Sequence, residues 1–403
     1  MSDKRMKGIH LWLIIGLCAS MAAGVGLTTN IAGLFLAPVS EELGLSRASM
    51  SATMSTCNIA FSLGGLFTAW MLRKCRFKTV VLLGATVTAA ATLLLGNVTS
   101  LWQIFVLQGI RGLSTGLLGM VFATMVINQW FFENTALITS IVMSFSGLAS
   151  ALLSPVFNRI IETSGWKIGY YISAIAIALL YLLLIVPKVG LTPESVSAEA
   201  YGNRKETETS QPQQSDVSII VTVLLLTFAS LGGLTTSVVQ HFPGVARSKG
   251  LTGDTGALML SVAMLTNTAG KILLGAMIDR IGVRRSVLIM SVIIMAGTAG
   301  MLAATGSLLA VICAGIIGLG YSVATVGVSM LTREAAGVGG YNKVYPFVSM
   351  AITIAYAAGT TLSGAVYDKY SHYSYIFIAM LVYQTVIMLI TLYLTGRKKQ
   401  ERR

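Results

Sequence analysis

Gly26-Leu27-Thr28-Thr29 recurs 207 residues further on as Gly233-Leu234-Thr235-Thr236. Gly44-Leu45-Ser46 recurs as Gly250-Leu251-Thr252. The basic loop Leu72-Arg73-Lys74-Cys75-Arg76 lines up with Asp279-Arg280-Ile281-Gly282-Val283. Self-similarity at an offset near 207 is the mark of a repeated architecture. Both copies run in the same sense, and each consists of long apolar stretches. Between them lies a polar segment, 188–216, with Glu194, Glu199, Arg204, Lys205, Glu206, Glu208 and Gln211-Pro212-Gln213-Gln214. That segment is too polar to bury a core. The sequence therefore predicts three parts: an N-terminal bundle 1–187, a linker 188–216 and a C-terminal bundle 217–403.

The composition says which solvent the two copies fold in. Apolar residues make up 55% of the 403 and charged residues 11%, with a mean hydropathy of +0.78. Soluble chains carry about 25% charged residues, so this chain lacks the charge to coat a water-facing surface. An ordinary soluble enzyme, a disordered chain and a disulfide scaffold are excluded. Stretches of about 20 apolar residues cross a bilayer as helices. Twelve such spans are expected, near 10–39, 48–72, 79–97, 101–128, 135–158, 167–187, 217–242, 255–279, 286–305, 308–332, 344–367 and 373–395. The polar, basic start (Met1 to Lys7) precedes an apolar run too long for a signal-peptide core, so the first span is read as retained. The fold class is an all-α membrane protein with 12 transmembrane helices in two pseudo-symmetric six-helix bundles.

The net charge of +13 is read as topology and not as a nucleic-acid surface. The termini and the loops on their side hold twenty Lys and Arg. The opposite loops hold six: Arg47, Arg159, Lys167, Arg247, Lys249 and Lys369. Basic loops stay in the cytoplasm, which places both termini there, in a plasma (inner) membrane. Cys18, Cys57, Cys75 and Cys313 form no paired spacing, so neither a disulfide framework nor a metal site is expected. His10, His241 and His372 fall at membrane edges and are read as interfacial.

Gly275-Ala276-Met277-Ile278-Asp279-Arg280-Ile281-Gly282-Val283-Arg284-Arg285 resembles the G-x-x-x-D-R-x-G-x-R-R loop of the major facilitator superfamily. With six plus six spans, the resemblance covers essentially the whole chain. It implies the major facilitator fold and a substrate site near the midplane, between halves that rock. It also implies a conformational latch of Asp279, Arg280 and Arg284. The N-terminal copy has Leu72 in place of the acid. Ala32-Gly33-Leu34-Phe35-Leu36-Ala37-Pro38, with Glu41-Glu42-Leu43-Gly44-Leu45-Ser46-Arg47, resembles the monocarboxylate and oxalate–formate branch. So does Asn128-Gln129-Trp130-Phe131-Phe132, although Glu133 and Asn134 stand where that branch has basic residues. Lys271, eight residues before Asp279, occupies the place of the branch's substrate-binding Arg. The branch's Asp one turn earlier is Asn267 here.

The charges left inside the membrane point to the function. All fifteen acids lie in loops, tails or helix ends, whereas Arg111 and Lys271 lie inside spans. An intramembrane ionisable group costs at least about 2.5–3.5 kcal/mol on insertion scales, which makes it a functional candidate. With no interior carboxylate to pair with, the partner expected for Lys271 is an anion. Lys271 lies about 12 Å from the cytoplasmic end of its span at 1.5 Å per residue. The competing reading is a lysine that snorkels to the cytoplasmic face. For Arg111 a second anion contact and a purely structural bond to helix carbonyls stand side by side.

Asn267, Tyr321, Tyr356, Asn30 and Asn58 complete the predicted substrate-binding set, with Thr28 and Gln240 as further polar residues on presumed cavity helices. Such hydroxyls and amides can bond a neutralised carboxylate or simply a neighbouring helix.

No nucleotide, zinc-hydrolase or nucleophile-elbow motif occurs, so no enzyme activity and no cofactor or metal are expected. The function expected is secondary active transport of a small organic anion, a monocarboxylate, by alternating access. Either proton symport or exchange for a counter-anion drives it. The transporter is expected to act as a monomer in the lipid bilayer, with no nucleic-acid partner. The alternatives are an exporter of hydrophobic compounds and a non-transporting membrane sensor. An all-cation interior opposes cationic cargo, and the short polar ends (1–9 and 396–403) leave little for an output domain.

Overall fold

The computed structural model describes residues 6–133, 135–186, 189–202 and 217–401. The predicted linker residues 203–216, with Arg204, Lys205 and the glutamine run, lie outside the described residues.

The chain folds almost entirely into helices. In order they are α1 (Gly8–Met21), α2 (Gly33–Glu42), α3 (Arg47–Lys74), α4 (Phe77–Leu95), α5 (Leu101–Leu117), α6 (Met120–Trp130) and α7 (Thr135–Ile185). These are followed by α8 (Ile219–Ser237), α9 (Phe242–Ser248), α10 (Gly253–Ala303), α11 (Ser307–Gly318), α12 (Gly320–Ser322), α13 (Val328–Tyr370) and α14 (Ser374–Glu401). By length and composition, nine helical stretches among the described residues are apolar enough to cross a membrane. Two of the nine are really pairs. Gly165 (φ 85°) breaks α7 and Gly282 (φ 82°) breaks α10, in a conformation open essentially only to glycine. Counted with these breaks, and with the less apolar 28-residue α3, the helices are consistent with the twelve expected spans.

Two compact units emerge. Unit 1 comprises Met1–Leu45 and Thr56–Glu208, and unit 2 comprises Ser46–Ser55 and Thr209–Arg403. In unit 1, α3 and α5 approach closely because their contact is lined with glycine. A methyl group at Gly112 would run into the Cys57 carbonyl, one at Gly116 into that of Phe61, and one at Gly64 into that of Leu113. Small residues permit such approach where lipid supplies no hydrophobic drive between helices. Unit 2 repeats the device: Gly318 meets the Ala263 carbonyl, and Gly270 meets Leu319 and Ser322.

These matched contacts refine the repeat. Gly26 packs on the Ser146 carbonyl as Gly233 does on that of Ile352. From α3 onward the packing pairs Gly64 with Gly270 and Gly112 with Gly318, an offset of 206, one less than the sequence match at Gly26. The counterpart of Lys271 is then Gly65 and that of Asp279 is Arg73. The loss of the acid in the first copy becomes a change of sign.

The described part of the linker is not free of structure. Residues 189–202 lie in unit 1 and strap its helix ends. The Trp130 indole donates to the Gly190 carbonyl (3.0 Å). Tyr201 N–H donates to the Trp130 carbonyl and Phe132 N–H to that of Tyr201, both at 2.8 Å. Lys7 Nζ pairs with Glu199 at 2.8 Å, and the His10 ring bonds the Glu199 carbonyl at 2.9 Å. Lys7 lowers the Glu199 carboxyl below its ordinary range.

Candidate functional site

Irregular helix geometry marks where polar side chains gather. Backbone that departs from the α-helix at membrane depth survives only where protein or a water-filled cavity satisfies it. In unit 1, α1 runs into a π-helix, Ala22–Asn30, and the chain between α5 and α6 opens at Leu118 and Gly119. In unit 2, α8 runs into a 3-10 turn, Val238–His241, and α12 into a π-helix, Val323–Gly327. π-helical turns are found often at functional sites. Thr28, Asn30, Gln240 and Tyr321 all lie on or beside these segments.

In unit 1 the centre is Arg111 on α5, 2% exposed. Its Nη2 donates to the Thr28 carbonyl at 3.1 Å and to Gln108 Oε1 at 2.7 Å. Thr28 falls in the last turn of the π-helix, where carbonyls lack partners within the helix, and the guanidinium supplies one. The Cys57 thiol is also in hydrogen-bonding reach. Arg111 Nε is buried with no hydrogen-bond partner. Asn30 Nδ2 donates to the Ser146 carbonyl (3.1 Å) and approaches Ser150 Oγ (3.4 Å), so it ties the broken first span to α7. Asn58 is half-buried on α3.

In unit 2 the centre is the pair Asn267 and Lys271 on α10. They stand one turn apart on one face, in a stripe that is otherwise apolar: Leu260, Met264 and Leu274 are fully buried. Asn267 is 7% exposed, and its Oδ1 is buried with no hydrogen-bond partner. Lys271 is half-buried. Among the described residues its ammonium meets neither a carboxylate nor a hydrogen-bond acceptor. The hydroxyls of Tyr321 and Tyr356 are within hydrogen-bonding reach of each other, and Tyr356 also of Gln240. Three helical segments, around Gln240, Tyr321 and Tyr356, are thus joined by side-chain polar groups.

Asp279, Arg280 and Arg284 are exposed beside the break at Gly282. No ion pair joins them among the described residues.

Sequence reasoning missed a further cluster in unit 2. Asp368 accepts from the backbone N–H groups of Arg47 (2.9 Å) and Ala48 (2.7 Å). The Arg47 guanidinium lies 3.8 Å from the Tyr367 ring centroid and reaches Tyr373 Oη at 3.4 Å. His241, expected at a membrane edge, is fully buried, with its ring bonded to the Thr360 carbonyl at 2.9 Å. His10 is buried as well, under the strap that carries Glu199. Each ring has a backbone carbonyl to bond, which offsets the cost of burying it. Of the three histidines only His372 is exposed.

The arrangement has close relatives in shape. A nucleoside transporter, NupG, superposes with a TM-score of 0.68 at 15% identity, covering 96% of this chain and 99% of that one. A bacterial homologue of the human lysosomal transporter Spinster, in an inward-facing and occupied conformation, superposes with a TM-score of 0.74 at 12% identity, covering 97% and 98%. At such identities the likeness shows the fold. In sequence, the 4-hydroxybenzoate transporter PcaK of Pseudomonas putida is 27% identical over 180 residues, which is 44% of this chain and 40% of that protein. The sequence profile of the Major Facilitator Superfamily matches residues 16–252 and again 222–403. With apolar helices long enough to cross a membrane and a profile that covers nearly every residue, the chain belongs to the Major Facilitator Superfamily and is a multi-pass membrane transporter, not an enzyme.

Proposed function

We propose that this transporter moves a small organic anion, a monocarboxylate, by alternating access, with Lys271 as the anchor of the carboxylate. The observation that carries the reading is a half-buried ammonium in a membrane span with no protein acceptor among the described residues. A charge kept in that setting needs a counter-charge, and a carboxylate from solution supplies it. The partial likeness to a 4-hydroxybenzoate transporter supports an anionic cargo.

One central cation suits one carboxylate. Asn267, Tyr321, Tyr356 and Gln240 offer hydrogen bonds around it. Lys271 and the substrate together form a neutral pair, which lowers the electrostatic cost of closing the site. Arg111 holds the broken first span through Thr28, and Asn30 and Asn58 stand as polar neighbours in unit 1. The Asp279, Arg280 and Arg284 loop acts as a latch that pairs in one conformation and opens in another. The protein resides as a monomer in the plasma (inner) membrane with both termini cytoplasmic, and runs by proton symport or by exchange for a second anion.

Uptake into liposomes of a labelled monocarboxylate panel, with and without a pH gradient, tests this reading. Saturable uptake of at least one carboxylate is expected. Failure of every carboxylate would overturn it. A dependence on the gradient separates symport from exchange.

A further inference from the structure

From the unpartnered amide oxygen of Asn267 we infer that the substrate is a hydroxylated monocarboxylate, whose hydroxyl bonds Asn267 while its carboxylate meets Lys271. The inference rests on the carboxylate reading and adds the second recognition element. Asn267 is more than nine-tenths buried, and its Oδ1 has no hydrogen-bond partner. Leaving a buried polar atom unsatisfied is costly, and nearly all such atoms in folded proteins find partners.

The empty valence lies beside the candidate anchor. Asn267 and Lys271 are four residues apart in an unbroken stretch of α10, so their Cβ atoms are roughly 6 Å apart. Leu260, Met264 and Leu274 on the same stripe are buried and apolar, so the two polar groups form an isolated pair. A lone carboxylate on Lys271 satisfies the cation and leaves the amide orphaned. A hydroxyl both donates and accepts, so it satisfies the amide in either orientation of its oxygen and nitrogen. A site that bonds a substrate hydroxyl rejects the analogue lacking it strongly, because the buried partner is then left unpaired.

The experiment compares uptake of matched acids in proteoliposomes: lactate against propionate, mandelate against phenylacetate, and 4-hydroxybenzoate against benzoate. The parent is expected to favour the hydroxylated member of at least one pair by tenfold or more. The aliphatic and aromatic pairs distinguish a 2-hydroxyl from one across a ring.

Asn267→Val is expected to bring that ratio to near one while uptake of the deoxy acid persists. Asn267→Thr, of the same shape but with a hydroxyl, is expected to restore part of it. A parent ratio near one in all three pairs, with carboxylates still transported, overturns the inference and leaves the carboxylate reading standing. Uptake of no acid at all overturns both. An unchanged preference in Asn267→Val also overturns the inference. Should that variant fail to reach the membrane, the parent ratios alone still decide.

Discussion

Arg111 donates to the Thr28 carbonyl at 3.1 Å across the contact between α5 and the π-helical end of the first span. The same nitrogen bonds Gln108, so a buried cation is held by neutral oxygens and by no carboxylate among the described residues. Hydrogen bonds to charged groups contribute about 1.5–3 kcal/mol, so this contact stabilises an irregular segment. Arg111→Ala should lower the melting temperature of the purified protein markedly. Arg111→Lys, which keeps the charge but loses the planar fork, should fall between. If Arg111 instead binds substrate, Arg111→Lys will raise KM with little change in melting, the opposite pattern.

Asp368 caps the first turn of α3 from outside the helix. Its two oxygens take the Arg47 and Ala48 N–H groups, which have no acceptor within their own helix. Asp368→Ala should cost about 1–2 kcal/mol, as loss of an N-cap does. Asp368→Asn, which keeps one acceptor oxygen, should cost less. Thermal melting in detergent reads both, and an alanine variant as stable as the parent would remove the cap from the account.

The strap over unit 1 should loosen in acid. Lys7 draws the Glu199 carboxyl below its ordinary value of 4.5, and Lys167 with Trp166 does the same to Glu42. A lowered carboxyl stabilises the folded state above its unfolded value and loses that contribution as the pH falls through the lowered one. The loss therefore falls below about pH 4.5, not near neutrality. In a variant with Trp12, Trp70, Trp102 and Trp166 replaced by Phe, the emission of the remaining Trp130 should shift over that acid range. Glu199→Gln should remove most of the step at its source. A step unchanged by Glu199→Gln would assign the acid sensitivity elsewhere.

The α3–α5 crossing should be intolerant of added bulk. Gly116→Ala drives a methyl group into the Phe61 carbonyl, and overpacking of this kind costs about 1–3 kcal/mol. Gly275→Ala has nothing within 4 Å of the new carbon and should be neutral or slightly stabilising, since alanine favours helix over glycine. Paired melting curves test the contrast.

Much of this was legible in the sequence, because a bilayer leaves few options. Apolar run length, the Gly-Leu-Thr-Thr repeat and the Asp279–Arg285 loop together were enough for the fold. Lys271 and Arg111 stood out because charge is rare inside spans. The π-helical break at Ala22–Asn30 was not legible, since no proline marks it and its residues are ordinary helix formers and small polar ones. The Asp368 cap joins residues 321 positions apart in the chain, and no local pattern announces such a pair. The burial of His10 and His241 was not legible, because their carbonyl partners, at Glu199 and Thr360, are set by packing. The one-residue slip of the repeat to an offset of 206, already present between Gly44 and Gly250, is carried through the helices by the matched glycine contacts.

The central claim is that Lys271 anchors a carboxylate. Uptake of labelled monocarboxylates by liposomes carrying Lys271→Ala, beside the parent at matched protein levels and melting temperatures, tests it most directly. The account predicts at least a tenfold loss of kcat/KM for every carboxylate the parent moves, with partial recovery in Lys271→Arg. Full uptake by Lys271→Ala would contradict it.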